Sequence, residues 1–291
     1  MIPRSDPGDI AASSEPELLL RVRDLAKSYG SKTVLDGVSF DLHRGECLVI
    51  LGRSGTGKSV TLRQLNGLEK PDRGSVQMDG SEITGLGERE LVPIRRRMAM
   101  LFQGGALFDS MTVLDNIAFP LREHTELDEA QIARVVRRKL QRVRLAGIEG
   151  QMPADLSGGM KKRVALARSL ALDPELVLYD EPTTGLDPVT SAAIAELIRE
   201  AQQKRASAPP VTSVVVTHDL PLARTVAHRL AYLENGRFRF LGTWQEAEAS
   251  GDRVLLDFLA GRPERELDID ADAEVGQAGA SGRETAIEME T

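Results

Sequence analysis

The stretch at residues 52–59, GRSGTGKS, constrains the fold of this chain more than any other, because it matches the pattern G-x-x-x-x-G-K-[ST] at every fixed position. An apolar run at residues 47–51 precedes it and predicts a buried strand, and Leu62 and Leu65 behind it share one face of a predicted helix. A strand, a glycine-rich loop and a helix in this order point backbone N–H groups and the positive end of the helix at one anion. A glycine-rich turn without a ligand is the alternative, but both flanks favour the anion site.

The loop predicts specific contacts with a nucleotide. We expect the Lys58 ammonium to reach the β- and γ-phosphates of ATP and the Ser59 hydroxyl to bind Mg²⁺. The glycines allow the backbone to curl around the anion. The residues predicted to bind the nucleotide here are Gly52, Arg53, Ser54, Gly55, Thr56, Gly57, Lys58 and Ser59.

Length and charge limit which domain organisations are possible for this chain. The chain has 291 residues, of which 41% are hydrophobic, enough for one large α/β domain or two small ones. Its net charge is −7, and residues 263–291, with nine acidic residues and two arginines, account for all of it. The remaining residues are neutral overall and do not indicate a nucleic-acid-binding domain. We expect a disordered acidic tail at 263–291 and a flexible polar segment at 1–17.

The sequence predicts a cytosolic chain. No apolar segment is long enough for a transmembrane helix, and the first residues lack the basic start and apolar stretch of a signal peptide. The only cysteine, Cys47, falls in a predicted core strand, so no disulfide can form within the chain. A buried cysteine of this kind acts as a small hydrophobic residue and suits a reducing compartment.

Hydrophobic periodicity predicts strands that alternate with helices. Strands are predicted at residues 18–24, 34–42, 47–51, 74–78, 97–102, 176–179, 213–216, 230–233 and 237–241. Helices are predicted at 113–119, 128–145, from 156 to about 172, at 188–204, and from apolar spacing at 254–259. This alternation predicts an α/β fold with a mostly parallel sheet, while the early strands predict a small antiparallel β subdomain. The helices at about 104–172 predict an inserted helical subdomain within a domain at 18–262.

Two carboxylates follow the apolar strand at 176–179. Ligands of open α/β sheets bind where strands end, so Asp180 is predicted to hold Mg²⁺ through water. Glu181 is predicted to polarise the water that attacks the γ-phosphate. A strand end with two solvated acids is the alternative, and the phosphate loop favours the catalytic interpretation.

Residues 156–159, Leu-Ser-Gly-Gly, match the signature of the ABC transporter family, and the order of motifs over residues 18–242 resembles its nucleotide-binding subunit. The resemblance implies a P-loop NTPase core that hydrolyses ATP. It also implies a head-to-tail dimer with a second copy of the chain, in which two ATP molecules are sandwiched. Ser157, Gly158 and Gly159 of one copy would then face the phosphate loop of the other.

The resemblance implies roles for four further residues. Tyr29 matches the aromatic residue that stacks on adenine, and Gln103 matches the glutamine that touches Mg²⁺ and links to the membrane partner. Asp187 matches the acid of the loop that crosses the dimer interface, and His218 matches the histidine that contacts the γ-phosphate. An ordinary structural role is the alternative for Tyr29 and His218. The histidines that match no family position are His43, His124 and His228.

A narrower resemblance lies at residues 103–110, QGGALFDS, and 116–125, NIAFPLREHT, which are similar to the ATPases of Mla/Mce-type phospholipid-transport systems. Met160, in place of the glutamine common after the signature, fits the same subgroup. The resemblance implies transport of phospholipid between membranes and maintenance of outer-membrane lipid asymmetry. It implies an integral-membrane permease, lipid-binding Mce-type subunits and accessory subunits as partners, at the cytoplasmic face of the inner membrane.

Three other functions remain open at this point. The chain could serve an importer of a small, amino-acid-like solute, since residues 104–125 are a less specific signal than the ATPase motifs. A soluble ABC protein acting on DNA or ribosomes usually has two cassettes, a long coiled coil or a basic surface, and the sequence has none of these. A nucleotide-binding switch is the third alternative, against which Glu181 argues.

Overall fold

The computed structural model describes residues 17–203 and 210–262. Its strands are β1 (Leu18–Tyr29), β2 (Lys32–His43), β3 (Cys47–Leu51), β4 (Arg73–Met78), β5 (Ser81–Glu82), β6 (Met98–Leu101), β7 (Leu176–Asp180), β8 (Thr212–Thr217), β9 (Arg229–Glu234) and β10 (Arg237–Gly242). Its helices are α1 (Lys58–Leu65), α2 (Glu88–Arg97), α3 (Val113–His124), α4 (Glu129–Arg142), α5 (Gly158–Ser169), α6 (Pro188–Gln202), α7 (Leu220–Val226), α8 (Trp244–Ala249) and α9 (Arg253–Leu259). The acidic tail predicted at 263–291 and nearly all of the N-terminal segment predicted to be flexible lie outside the described residues.

A six-stranded sheet confirms the predicted parallel core. Its strand order is β10-β9-β3-β8-β7-β6, and only the β9–β10 hairpin is antiparallel. Every residue of β3, β7 and β8 is buried, as expected for central strands of a parallel sheet. The register aligns Leu51 with Thr217 and Asp180 with Val216, so the carboxyl ends of these strands meet at one edge.

The parallel register is also held beyond the strands, at the opposite end of β3. The backbone N–H of Cys47 donates to Nδ1 of His228 at 3.0 Å, and the backbone N–H of His228 donates to the Cys47 carbonyl at 3.0 Å. His228 therefore has a structural role that the sequence did not indicate. Cys47 itself is fully buried, and burial raises the pKa of its thiol.

The predicted antiparallel subdomain is a four-stranded sheet of order β2-β1-β4-β5. Apolar side chains of this sheet, such as Leu25 and Val38, belong to the same hydrophobic core as Leu48, Ile50 and Leu62 of the strand and helix that flank the phosphate loop. Complete burial of a leucine or valine side chain contributes about 1.5–3 kcal/mol. The shared core therefore fixes the phosphate loop against the antiparallel sheet.

Helices α3, α4 and α5 form the predicted helical subdomain. Lys139 on α4 is buried, and its ammonium donates to the Leu170 carbonyl and to Asp173 Oδ1 at 2.7 Å, which ties α4 to the end of α5. Burial lowers the pKa of Lys139. Helix α4 ends at Arg142, earlier than the predicted residue 145, because Arg144 adopts a left-handed conformation with φ of 60°.

Helices α2 and α3 also differ from the sequence predictions, and helices α7 and α8 were not predicted. Helix α2 was not predicted, because it contains Pro93 and buries only Leu91 among its ten residues, which leaves almost no periodic apolar signal. Helix α3 continues to His124, beyond the predicted residue 119, although Pro120 lies inside it. Within residues 17–203 and 210–262, no helix combines the length and apolar character needed to cross a membrane.

An ion-pair network joins the antiparallel sheet to the entry of β7. Glu175 accepts from Arg44 and Arg97 at 2.5 Å each, and Asp79 accepts from both arginines, at 2.6 Å from Arg44. The two guanidinium groups lower the pKa of Glu175 to about 2. This carboxylate therefore stays charged and bonded well below its ordinary titration range.

The chain divides into two compact units, Met1–Ala247 and Glu248–Thr291. The first contains both sheets and the helical subdomain. In the second, the helix predicted from the spacing at 254–259 is present as α9, and the Asp252 carboxylate accepts from the N–H groups of Val254 and Leu255 at 3.0 and 3.4 Å.

Candidate active site

A cavity of about 370 Å³ opens at the edge where the parallel strands end. Its walls come from the phosphate loop, the start of α1, the loops that follow β6, β7 and β8, and Val34 of β2. The predicted site residues that it brings together are Ser54, Gly55, Gly57, Lys58, Ser59, Gln103, Glu181 and His218. Residues that are far apart in the sequence therefore lie together at the ends of the parallel strands, where the sequence predicted a ligand site.

The phosphate loop requires glycine for steric reasons. A Cβ on Gly57, whose φ is 103°, would lie 2.9 Å from the side chains of Val34 and Leu35. A Cβ on Gly52 would lie 2.6 Å from the Leu233 carbonyl oxygen. Because Gly57 is the N-cap of α1, the unpaired N–H groups of the first helical turn lie beside the cavity.

Lys58 supplies a buried positive charge to the cavity. Its ammonium donates to the carbonyls of Gly52 and Arg53 at 2.8 and 3.0 Å and lies 3.6 Å from Glu181 Oε1. Burial lowers the pKa of Lys58, and the nearby Glu181 carboxylate opposes this shift. The ammonium is therefore positioned between the loop carbonyls and the carboxylate at the end of β7.

Ser59 and Asp180 form a hydrogen-bonded pair of oxygen-bearing side chains. The Ser59 hydroxyl donates to Asp180 Oδ1 at 2.8 Å, and burial raises the pKa of Asp180. Magnesium favours sites with few protein oxygens, because it keeps several waters and binds substrate phosphates. In the described part of the chain, no group of three or more His, Cys, Asp or Glu side chains could hold a metal by itself. The Ser59–Asp180 pair fits a cation shared with a nucleotide.

The Glu181 carboxylate is fixed by several neighbours. It is 8% exposed, and its backbone has a left-handed φ of 47°, which is uncommon for glutamate. Its Oε2 accepts from the hydroxyls of Thr184 and Thr217 at 3.3 Å each, and Nδ1 of His218 lies 3.0 Å away. A carboxylate held in this way at a cavity can orient a water molecule and accept its proton.

The threonines around Glu181 were missed by the sequence analysis. Thr217 ends β8 and its hydroxyl also accepts from the backbone N–H of Asp219 at 3.0 Å, whereas Thr183 donates to Asp219 Oδ2 at 2.7 Å. These contacts join the loops after β7 and β8. A polar residue at each strand end is the only sequence signal that could have indicated them.

The predicted signature and interface residues do not line this cavity. Ser157 caps α5 by accepting from the Met160 N–H at 3.3 Å, and Asp187 caps α6 by accepting from Val189 and Thr190 at 3.0 Å. The Thr190 hydroxyl holds the pKa of Asp187 below its usual value. The starts of α5 and α6 lie in contact, since a Cβ on Gly159 would meet Thr190 Cγ2 at 2.4 Å.

Other predicted nucleotide ligands also lie outside the cavity lining, among them Arg53, Thr56 and Tyr29. Tyr29 ends β1, is 46% exposed, and donates its hydroxyl to Glu69, while the Lys27 ammonium lies 5.7 Å from its ring centroid. A half-exposed ring of this kind is accessible to a stacking partner. Its predicted contact with adenine stays a prediction.

The loop after Gln103 forms part of a second cavity, of about 450 Å³. We call this cavity the aromatic groove; its lining includes Phe102, Phe108, Phe119, Pro120, Arg95, Arg96, His124 and Arg168. The rings of Phe108 and Phe119 lie 5.1 Å apart, and the Arg168 guanidinium lies 5.4 Å from the Phe108 ring. The groove thus combines aromatic surface with positive charge.

Asn116 and Arg168 shape the loop beside the aromatic groove, and neither was assigned a role from the sequence. The Asn116 side chain is fully buried, accepts from the Phe108 N–H at 2.8 Å and donates to the Phe108 carbonyl at 3.1 Å. Arg168 donates to the carbonyls of Gly105 and Ala106 at 3.0 and 2.8 Å. These bonds fix a loop that the sequence left irregular.

Comparison with known sequences supports the same architecture. The family described as ABC transporter matches residues 35–184. The probable ribonucleotide transport ATP-binding protein mkl of Mycobacterium leprae (strain TN) is 44% identical over 243 residues, covering 84% of this chain and 69% of the relative. The intermembrane phospholipid transport system ATP-binding protein MlaF of Escherichia coli (strain K12) is 40% identical over 243 residues, covering 84% of this chain and 89% of the relative.

Solved structures agree with the sequence relatives. A dimeric post-hydrolysis structure of the ATP-binding cassette MJ0796 bound to ADP and Pi is similar, with a TM-score of 0.70 and 30% identity, over 77% of this chain and 98% of that one. The cbiO1 subunit of the ABC transporter complex cbiONQ from Clostridium perfringens has a TM-score of 0.72 and 28% identity, over 84% of this chain and 95% of that one.

The contact between Gly159 and Thr190 predicts a steric coupling that can be measured. Gly159→Ala should destabilise the fold by about 1–3 kcal/mol in denaturant unfolding, because the new methyl group meets Thr190 Cγ2. Rotation of Thr190 away from it would break the 2.5 Å bond from its hydroxyl to Asp187. Thr190→Ser removes Cγ2 and keeps the hydroxyl, so Gly159→Ala should cost less in that background.

Gly158→Ala is the matched control for this experiment, because its Cβ would lie 3.8 Å from Leu186, an ordinary contact. It should change stability little. An equal cost of Gly159→Ala in the wild-type and Thr190→Ser backgrounds would show that the contact does not limit the packing of α5 on α6.

Proposed function

Because this chain belongs to the ABC transporter family of ATPases, we propose that it hydrolyses ATP to energise the movement of phospholipid between membranes. One observation carries the catalytic part: the cavity at the strand ends gathers Lys58, the Ser59–Asp180 pair and Glu181. The resemblance at residues 103–125 and the 40% identity to MlaF, named for intermembrane phospholipid transport, support the cargo.

In this proposal, the side chains in the cavity have separate roles in ATP hydrolysis. The N–H groups at the start of α1 and the Lys58 ammonium bind the β- and γ-phosphates. Ser59, Asp180 and Gln103 would hold Mg²⁺, which would neutralise phosphate charge when bound. Glu181, fixed by Thr184 and Thr217, orients a water for attack on the γ-phosphate and accepts its proton.

His218 is placed to connect these steps. Its side chain lines the cavity, and its Nδ1 lies 3.0 Å from Glu181 Oε2. These contacts support a position between the carboxylate and a bound terminal phosphate. Because Nδ1 faces Glu181, the rest of the half-exposed ring is free to contact that phosphate. Its proposed role is to orient Glu181 and to sense the γ-phosphate.

A second copy of the chain completes the site in this proposal. Ser157, Gly158 and Gly159 do not line the cavity of their own chain, although they sit at a helix start that suits an anion. A head-to-tail dimer would place them on the phosphates bound by the other copy. ATP binding would then favour the closed dimer, and hydrolysis would release it.

The aromatic groove is the proposed docking site for an integral-membrane permease. Phe102, Phe108 and Phe119 are 39%, 42% and 38% exposed, and exposed aromatic side chains gathered in one place mark a contact surface. The neighbouring arginines favour a partner helix with an apolar face and acidic residues. Docking there would hold the subunit at the cytoplasmic face of the inner membrane, with Mce-type lipid-binding and accessory subunits completing the system.

Phe108→Asp tests this docking surface. A charge in the groove is costly to bury against the permease, so the variant should leave the membrane fraction while binding ATP as the wild type does. Leu241→Asp is the matched control, because Leu241 is 37% exposed and lies on β10 at the other edge of the six-stranded sheet. Phe108→Asp that stays with the membrane fraction would exclude the groove as the docking site.

The nature of the cargo has a second candidate. The relative mkl, at 44% identity, is named for ribonucleotide transport, which favours a small anionic solute. The chain spans 69% of mkl but 89% of MlaF, so it corresponds to MlaF over more of the relative's length. We therefore place phospholipid first, ribonucleotide second, and an amino-acid-like solute after them.

Deletion of the gene distinguishes these cargoes. Loss of a phospholipid system should disturb the distribution of phospholipid between the membranes and weaken the envelope barrier, and the wild-type gene should restore both. Quantifying lipids in separated membranes measures the effect. Unchanged lipid distribution, together with lost uptake of labelled ribonucleotide or amino acid, would contradict the phospholipid proposal.

A further inference from the structure

Lys162 joins the helical subdomain to the loop that enters the cavity. It lies on α5, and its side chain is buried, with 7% of the residue exposed. Its ammonium donates to the backbone carbonyl of Gln103, which follows β6 and lines the cavity. No sequence signal distinguished Lys162 from the adjacent Lys161, which is more exposed.

The Lys162 ammonium donates to a backbone carbonyl and not to a carboxylate. Among the residues that the structure describes, no carboxylate lies within the 4.0 Å of an ion pair with Lys162. Burial lowers its pKa, whereas the charges of Asp180 and Glu181 act to raise it. A buried ammonium is costly unless nearby charges compensate it, and a neutral donor would satisfy one carbonyl equally well. The Asp180 and Glu181 carboxylates therefore favour the charged form of Lys162, while its direct contact is with the Gln103 carbonyl.

The position of Lys162 on α5 links the start of this helix to Gln103. Ser157 caps this helix, and the Lys161 N–H donates to the Ser157 carbonyl at 2.9 Å, so Lys162 lies just beyond the first turn. A helix moves as a rigid element, and a displacement of its start therefore reaches the Lys162 side chain. From there it reaches Gln103, at the cavity of the same chain.

We propose that Lys162 is a positioning residue that couples the two ATP sites of the dimer, which rests on the proposed head-to-tail assembly. In the dimer, Ser157, Gly158 and Gly159 of one chain bind the nucleotide held by the phosphate loop of the partner copy. On the same α5, Lys162 bonds to the Gln103 carbonyl and so positions Gln103 at the cavity of its own chain. Occupation of one site thereby adjusts the other, which makes hydrolysis cooperative in ATP.

The test measures ATP hydrolysis against ATP concentration in the complete transporter purified from membranes. The wild type should show a sigmoidal dependence. Lys162→Met has similar length but neither charge nor donor, so kcat should fall about tenfold or more, half-saturation should change less than about threefold, and the curve should become hyperbolic. Lys162→Arg keeps charge and donor and should restore the sigmoidal curve. Lys161→Met, one position along α5, is the matched control and should behave as the wild type.

Several outcomes would overturn the proposal. One is a hyperbolic wild type, and another is Lys162→Met with unchanged kcat and an unchanged sigmoidal curve. A third is Lys162→Met that no longer binds a fluorescent ATP analogue while Lys162→Arg does, because this would assign Lys162 a role in forming the nucleotide site and not in coupling.

Lys58→Ala, measured in parallel, separates this inference from the proposed ATP site. Loss of ATP hydrolysis in this variant supports the cavity as the ATP site, whatever the Lys162 variants do. Retained hydrolysis in Lys58→Ala would contradict the assignment of the cavity as the ATP site. A cooperative Lys162→Met enzyme beside an inactive Lys58→Ala enzyme would reject only the coupling.

Discussion

The hydrogen bond from Ser59 Oγ to Asp180 Oδ1 connects the two parts of the chain on which the site depends. These residues are separated by 121 positions in the sequence, yet the bond is 2.8 Å long. Ser59 and Asp180 lie close together because β8 lies between β3 and β7 and pairs in parallel register with both strands. The phosphate loop and the side chains of Asp180 and Glu181 therefore share one edge, because the strands that precede them are paired in register.

Buried charges of opposite sign give this edge its chemistry. Lys58 and Lys162 have pKa values lowered by burial, and Asp180 has a pKa raised by it. Each group is costly to bury by itself, and the negative charges of Asp180 and Glu181 reduce that cost for both lysines. An arrangement of this kind is prepared for a highly charged ligand, because the protein groups are held before the nucleotide phosphates arrive.

Local patterns were sufficient to predict the parallel sheet, the phosphate loop and the acids at the end of β7. These features depend on short runs such as the buried strand before Gly52, whose meaning does not change with tertiary context. Helix α2 could not be predicted, since its apolar contacts are few and Pro93 interrupts the pattern. The bonds of Lys162 and His228 could not be predicted either, because their partners, Gln103 and Cys47, lie 59 and 181 positions away in the sequence.

The proposed mechanism depends most on one claim, that the Glu181 carboxylate activates water for ATP hydrolysis. Glu181→Gln keeps the size and most hydrogen bonds of the side chain but removes its capacity to accept a proton. In the transporter assembled with its membrane partners, this variant should bind a fluorescent ATP analogue as the wild type does. Its hydrolysis rate should fall by roughly 100-fold or more, leaving a long-lived ATP-bound dimer. Hydrolysis by Glu181→Gln at the wild-type rate would contradict the claim.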